Sequence, residues 1–122
     1  MSGLVLVVSE SSESGAALSM MLGANNWRIQ QAHSCGEAAA LLSRARISVV
    51  VCESGLPDGD WKNLLRYTSH ASDGPRLIVT CRVADEALWA EVLNLGGYDV
   101  LAQPFDPYEV ARVISSAGRT GR

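Results

Sequence analysis

Residues 49–61 read VVVCESGLPDGDW. With Ile47 before it, the run Ile47–Cys52 is the most apolar stretch of the chain and is β-branched nearly throughout, which predicts a strand buried on both faces. An acid, Glu53, stands directly at its end, followed by Gly55, Pro57 and the aspartates Asp58 and Asp60. Pro57-Asp58-Gly59 is turn chemistry, and Asp60 is placed to cap a helix beginning at Trp61. If the strand is central, Glu53 sits at the carboxyl edge of an open α/β sheet, where such folds bind their ligands. Glu53 is therefore the first candidate site residue.

Outward from this strand, short apolar runs alternate with amphipathic stretches. Leu4–Val8, Trp27–Ala32, Arg76–Thr80 and Tyr98–Ala102 read as further strands. Helices are predicted over about 11–24, 35–44, 61–70, 84–95 and 107–117, with Ser11 or Ser12, Ser34 and Asp60 as caps and Gly96-Gly97 as a stop. Ser34 with Glu37 forms a capping-box pattern, and Ala38, Leu41, Leu42 and Ala45 make one apolar stripe. Pro107 fits a first helical turn. Strict βα alternation predicts an α/β fold: a flavodoxin-like, doubly wound (βα)5 parallel sheet with strand order 2-1-3-4-5. Right-handed crossovers would then gather Ser9-Glu10, Glu53, Thr80 and Gln103-Pro104 at one rim.

Composition narrows the function. The 122 residues fit one domain, read as 1–118 with 119–122 as a tail or linker stub. Ten Lys and Arg scattered among 13 acids, with formal charge −3, offer no basic patch for nucleic acid. The longest apolar runs are too short to cross a bilayer, and the N-terminus lacks the charge pattern of a signal peptide, so a cytoplasmic location is expected. Cys35, Cys52 and Cys81 lack zinc-site spacing and read as buried thiols. His33 and His70 show no partner pattern.

Four segments, LVLVVSES, VVVCESGLPDGDW, LIVTCR and VLAQPF, occur in the order and spacing of the receiver domain of bacterial two-component response regulators. The chain resembles that family over almost its whole length. The resemblance implies that Glu53 stands where the family has its phosphoacceptor aspartate and that Ser9 and Glu10 stand for its Mg²⁺-binding acid pair. It further implies that Thr80 and Val100 hold the switch positions and that Gln103, before Pro104, replaces the lysine that neutralises phosphoryl oxygens. Histidine kinases and output domains are the partners it implies.

The departures bear on the chemistry. In-line attack requires the nucleophilic oxygen in a near-attack position, and the extra methylene of Glu displaces it by roughly 1 Å. Phosphoryl transfer otherwise relies on metal and fixed positive charge, and here one cation is lost and the other weakened. The chain is therefore expected to be an atypical, non-catalytic receiver that signals through protein contacts. The resemblance leaves a weak Mg²⁺ site from Glu10, Glu53 and the Gly55 carbonyl as its only cofactor expectation. Glu53 is expected to imitate the acyl phosphate by accepting hydrogen bonds from Thr80 and Gln103. Trp89, Val92, Leu93, Val100, Tyr108 and Ala111 cannot all face the sheet, so a weak homodimer is expected through the 84–95 helix, the 98–102 strand and the 107–117 helix. A rival resemblance, to Toprim-type metal-dependent enzymes, rests on Glu10, Asp58 and Asp60; the glycine expected after that Glu is absent.

Overall fold

A computed structural model describes residues 3–68, 74–83 and 85–119, without the side chains of Ser12 and Arg119. In chain order the elements are β1 (Leu4–Val8), α1 (Ser12–Gly23), β2 (Arg28–Ala32), α2 (Cys35–Arg44) and β3 (Val49–Glu53). A hairpin of β4 (Gly55–Leu56) and β5 (Gly59–Asp60) and a 3₁₀ helix, η1 (Trp61–Tyr67), come next. The chain continues with β6 (Arg76–Cys81), α3 (Glu86–Asn94), β7 (Asp99–Ala102) and α4 (Pro107–Arg119). The large sheet is parallel with order β2-β1-β3-β6-β7, which is 2-1-3-4-5 when its own strands are counted.

Period-two alternation distributes the core. Val5, Val7, Val49, Val51, Ile78 and Leu101 face one side, where α1 (Leu18, Leu22) and α4 (Val110, Val113, Ile114, Ala117) pack. Leu6, Val8, Val50, Cys52, Leu77 and Val79 face the other, against Ala38 of α2, Trp61 and Leu64 of η1 and Val92 of α3. No helix among the described residues is long and apolar enough to cross a membrane. All three cysteines are buried and free, and burial raises each thiol's pKa, so they sit as protonated apolar side chains.

Two boundaries differ from expectation for physical reasons. The central strand runs Val49–Glu53 rather than Ile47–Cys52: Ile47 is buried but lies before the strand, and pairing with Thr80 draws Glu53 into the ladder. The 61–70 helix is a 3₁₀ helix ending at Tyr67, with a three-residue repeat that places Trp61, Leu64 and Tyr67 along one side. Trp61 and Leu64 are buried, and Leu65 and Tyr67 both pack, partly buried, against the same cluster. His70 and the expected helix start at Ala84 lie outside the described residues; Asp85 caps α3 by accepting from Ala87 and Leu88 N–H. That helix stops at Gly96 (φ 108°) and Gly97, whose N–H reaches the Val92 carbonyl so closely that a Cβ on Gly97 would collide with Val92.

The hairpin after β3 couples three elements. Gly59 has φ 156°, and a Cβ there would strike the Asn63 carboxamide, which accepts the Asp60 N–H while Asp60 accepts from Lys62. Asp58 reaches across to α2: its two oxygens accept the Cys35 and Gly36 N–H groups at 2.8 and 3.0 Å, and Ser34 Oγ takes Glu37 N–H. The expected capping box is thus half formed, because the Glu37 carboxylate accepts from His33 N–H instead of Ser34. Three orphan donors of α2 are satisfied, two of them by a residue 22 or 23 positions away.

Those bonds hold the Asp58 carboxyl below the usual carboxylate range, the Cys35 N–H contributing most and Gly36 next. A carboxyl whose pKa is lowered on folding stabilises above its unfolded value, about 3.9, and loses that contribution as pH falls through the folded value. Asp58→Ala is expected to lower Tm at neutral pH, with the deficit shrinking steadily below about pH 4. Thermal melts of both proteins across the acid range check this; a deficit independent of pH would contradict it.

Candidate functional site

The carboxyl ends of β1, β3, β6 and β7 enclose a cavity of about 680 Å³ lined by Glu10, Glu53, Gly55, Thr80, Arg82 and Gln103 among others. Strand alternation explains which side chains meet there. Glu53 follows Val49 and Val51, and Thr80 follows Ile78, on the α1/α4 side of the sheet. The two are register partners across the β3–β6 ladder, and Ser54 N–H continues it to the Thr80 carbonyl at 2.9 Å. Gln103 stands two residues beyond Leu101 on that same side, with its N–H on the Cys81 carbonyl.

The contacts within the site differ from the expected ones. Glu53 Oε1 accepts the backbone N–H of Glu10 at 2.9 Å, so its carboxylate ties β3 to the β1–α1 loop. Gln103 Nε2 donates to Ser14 Oγ on α1 at 3.4 Å rather than to Glu53. The Thr80 hydroxyl has no partner among the described residues, and since no fully buried side-chain oxygen there lacks one, the 2% exposure of Thr80 leaves its hydroxyl open to the cavity. The expected bonds from Thr80 and Gln103 to Glu53 are therefore replaced, because the β1–α1 loop offers an orphan N–H within reach of the longer Glu side chain.

Other candidate residues separate. Ser9 is buried and donates its hydroxyl to the Ser11 carbonyl at 2.8 Å, away from the cavity lining, while its own carbonyl meets His33 Nδ1 at 3.1 Å. Val100 pairs with Val79, opposite in facing to Thr80, and lines a second groove of about 310 Å³ with Cys81, Asp85, Glu86, Trp89 and Ala102. Pro104 follows Gln103 through a cis peptide and does not line the cavity. Asp58 and Asp60 are spent on α2 and η1, so the Glu10, Asp58, Asp60 constellation of the rival enzyme is not assembled.

The receiver likeness implies Mg²⁺, and the residues present do not fit it as a resident ion. Glu10, Glu53 and Gly55 do line one cavity. However, one Glu53 oxygen is already engaged, Ser9 has turned away, and among the described residues no group of three or more His, Cys, Asp and Glu side chains is placed to hold a metal. Mg²⁺ demands near-octahedral oxygen geometry, which this set does not supply.

Sequence reasoning missed two participants: the Glu10 N–H that Glu53 accepts and Ser14, which accepts from Gln103. Backbone donors carry no residue signature, and Ser14 lies on α1, outside the rim segments that the strand ends marked. Arg82, which its position just beyond the fourth sheet strand marks as the cation able to approach the acids, does line the cavity.

No protein-family model matches the chain. Over 119 residues it is 34% identical to "Probable transcriptional regulatory protein TcrX" of Mycobacterium tuberculosis, a match covering 96% of this chain and 50% of that protein. The chain thus spans about half the length of the curated relative it matches. Its fold matches a response regulator receiver domain protein from Clostridium thermocellum with TM-score 0.84 at 17% identity, covering 96% of this chain and 94% of that one. It also matches a CheY-like response regulator receiver domain protein from Methanospirillum hungatei, with TM-score 0.83 at 16% identity and coverage of 98% and 95%. A third match, the non-phosphorylated HemR receiver domain from Leptospira biflexa, has TM-score 0.82 at 20% identity over 98% and 97%.

The Glu53–Glu10 contact is directly testable. Glu53→Ala removes the acceptor and Glu53→Asp withdraws it by one methylene. In both, the Glu10 amide is expected to exchange with solvent about tenfold faster or more, the scale of a charge-assisted hydrogen bond. Residue-resolved hydrogen exchange reads this, and equal protection in all three proteins would show that the bond contributes nothing.

Proposed function

Since the chain has the fold of the response-regulator receiver domains, we propose that it acts as an atypical receiver module in two-component signalling, one that is not efficiently phosphorylated and transmits through protein contacts. The observation that carries this reading is the engagement of the acceptor position. The carboxylate of Glu53 is one methylene longer than an aspartate and already accepts a backbone N–H, while the neutral Gln103 faces Ser14. A nucleophile so held is out of line for attack, and no fixed ammonium stands ready for the transferring oxygens. Its own chemistry at this site is therefore binding and conformational signalling, without turnover. Kinase and output partners follow from the same reading, and the longer relative's description favours an output of the transcription-regulating kind.

The transmitting face in this reading is formed by α3, β7 and α4. Trp89 is 49% and Tyr108 87% exposed there, whereas Val92 is buried and belongs to the core. An exposed aromatic beside an apolar groove suits a protein contact. A weak twofold homodimer is the simplest such contact, one patch meeting its own copy.

Treatment with acetyl phosphate and Mg²⁺ followed by intact-mass measurement is expected to leave the native chain without an adduct. The Glu53→Asp, Gln103→Lys variant should gain a labile phosphoryl increment, and calorimetry on the native chain should find Mg²⁺ binding far weaker than micromolar. A phosphoryl adduct on native Glu53 would overturn the reading. Sedimentation at high micromolar concentration is expected to show a monomer–dimer equilibrium that Trp89→Glu weakens about tenfold or more, as loss of an aromatic anchor does; a strict monomer, or a dimer indifferent to Trp89→Glu, argues against this face.

A further inference from the structure

The cavity at the carboxyl edge carries more chemistry than a disused acceptor site needs. Glu10 and Glu53 bring two carboxylates to it, and only one oxygen of Glu53 is engaged. Arg82 brings one guanidinium, exposed at the mouth and without an ion pair among the described residues. Thr80 supplies an independent pointer to a ligand: the residue is only 2% exposed and lines the cavity, and its hydroxyl has no protein partner among the described residues. No fully buried side-chain oxygen among those residues lacks a partner, so the little exposure Thr80 keeps leaves its hydroxyl open to the cavity.

We propose that this cavity binds a small zwitterion of the α-amino-acid class, with its ammonium between Glu10 and Glu53 and its carboxylate towards Arg82 and the Thr80 hydroxyl. The inference rests on the reading that the site is not worked by phosphoryl transfer, and it names what occupies the site instead. Charge decides the class. A free inorganic anion would face two carboxylates, a metal ion lacks donors, and a simple amine would leave both Arg82 and Thr80 unmatched. An ammonium offers three donors to the acidic side, while a carboxylate can accept from the guanidinium and the hydroxyl together. The cavity's volume of about 680 Å³ falls in the range of small-molecule sites and leaves room for a ligand side chain. Occupancy has a route outward, because Cys81 lines both this cavity and the Trp89 groove.

Thermal shift and calorimetry with each standard L-amino acid at millimolar concentration test the proposal on the whole chain. At least one is expected to raise Tm and to perturb Trp89 fluorescence, read as the difference from Trp89→Phe. Its decarboxylated amine and its N-acetyl derivative should each lose the effect. Arg82→Gln, at an exposed position, should weaken binding about tenfold or more, and the near-isosteric Thr80→Val similarly. The proposal is overturned if no free amino acid binds, if the bare amine binds as well, or if Arg82→Gln leaves affinity unchanged. A phosphoryl adduct on the native chain would defeat the underlying reading, whereas no adduct and no binding would defeat this inference alone.

Discussion

Everything at the rim depends on the double-sided burial of β3. Val49 to Cys52 have essentially no exposure, with α1 and α4 covering one face and α2, η1 and α3 the other. Each such side chain contributes about 1.5–3 kcal/mol on burial, and none of these positions tolerates an unpaired charge. The first residue of the strand able to carry one is Glu53, where the covering helices end. The carboxylate is thus delivered to the cavity by the packing of the four residues before it, and its height above the sheet is fixed by the ladder to Thr80.

Given that placement, one oxygen of the carboxylate finds its partner within the protein. The carboxylate takes the nearest orphan donor, the Glu10 N–H at the end of β1, and so joins the two strands on either side of the topological switch point. The same economy runs through the next turn, where Asp58 uses both oxygens on α2 and Asp60 starts η1. Three acids within eight residues of one another are all engaged by backbone N–H groups. None of the three needs a bound cation to be satisfied. This is why a segment that looks rich in metal ligands is instead a cross-bracing of β1, β3, α2 and η1.

The sheet was legible in the sequence because a parallel strand advertises itself: an apolar run bounded by polar residues, alternating with helical stripes. All five runs became strands in the expected order, and the rim residues Glu10, Glu53, Thr80 and Gln103 met as the crossover rule requires. What could not be read depended on the backbone or on long-range partners. The donor to Glu53 is a main-chain N–H, which any residue but proline at position 10 would present. Asp58 looked like a local turn residue, and its partners on α2 are distant in sequence. The WKNLLRY segment supports both a three- and a four-residue repeat, and Leu65 and Tyr67 both pack against the cluster of Trp61 and Leu64. Val100 held the expected position in the chain but lies on the opposite side of the sheet from Thr80, which a one-residue step in a strand always produces.

That last geometry separates what the two faces of the sheet present at the rim. Thr80 looks towards the α1/α4 side and the acidic cavity, while Val79 and Val100, register partners, look towards α3 and Trp89. Thr80 and Val79 therefore serve one face each, and the two cavities adjoin at the end of β6. Cys81 is the residue at that end. It lines both cavities, its carbonyl accepts the Gln103 N–H, and it shares the Trp89 groove with Asp85, the N-cap of α3. The end of β6 therefore stands beside Gln103, the start of α3 and the Trp89 groove together, and the Cys81 thiol there is protonated because burial raises its pKa.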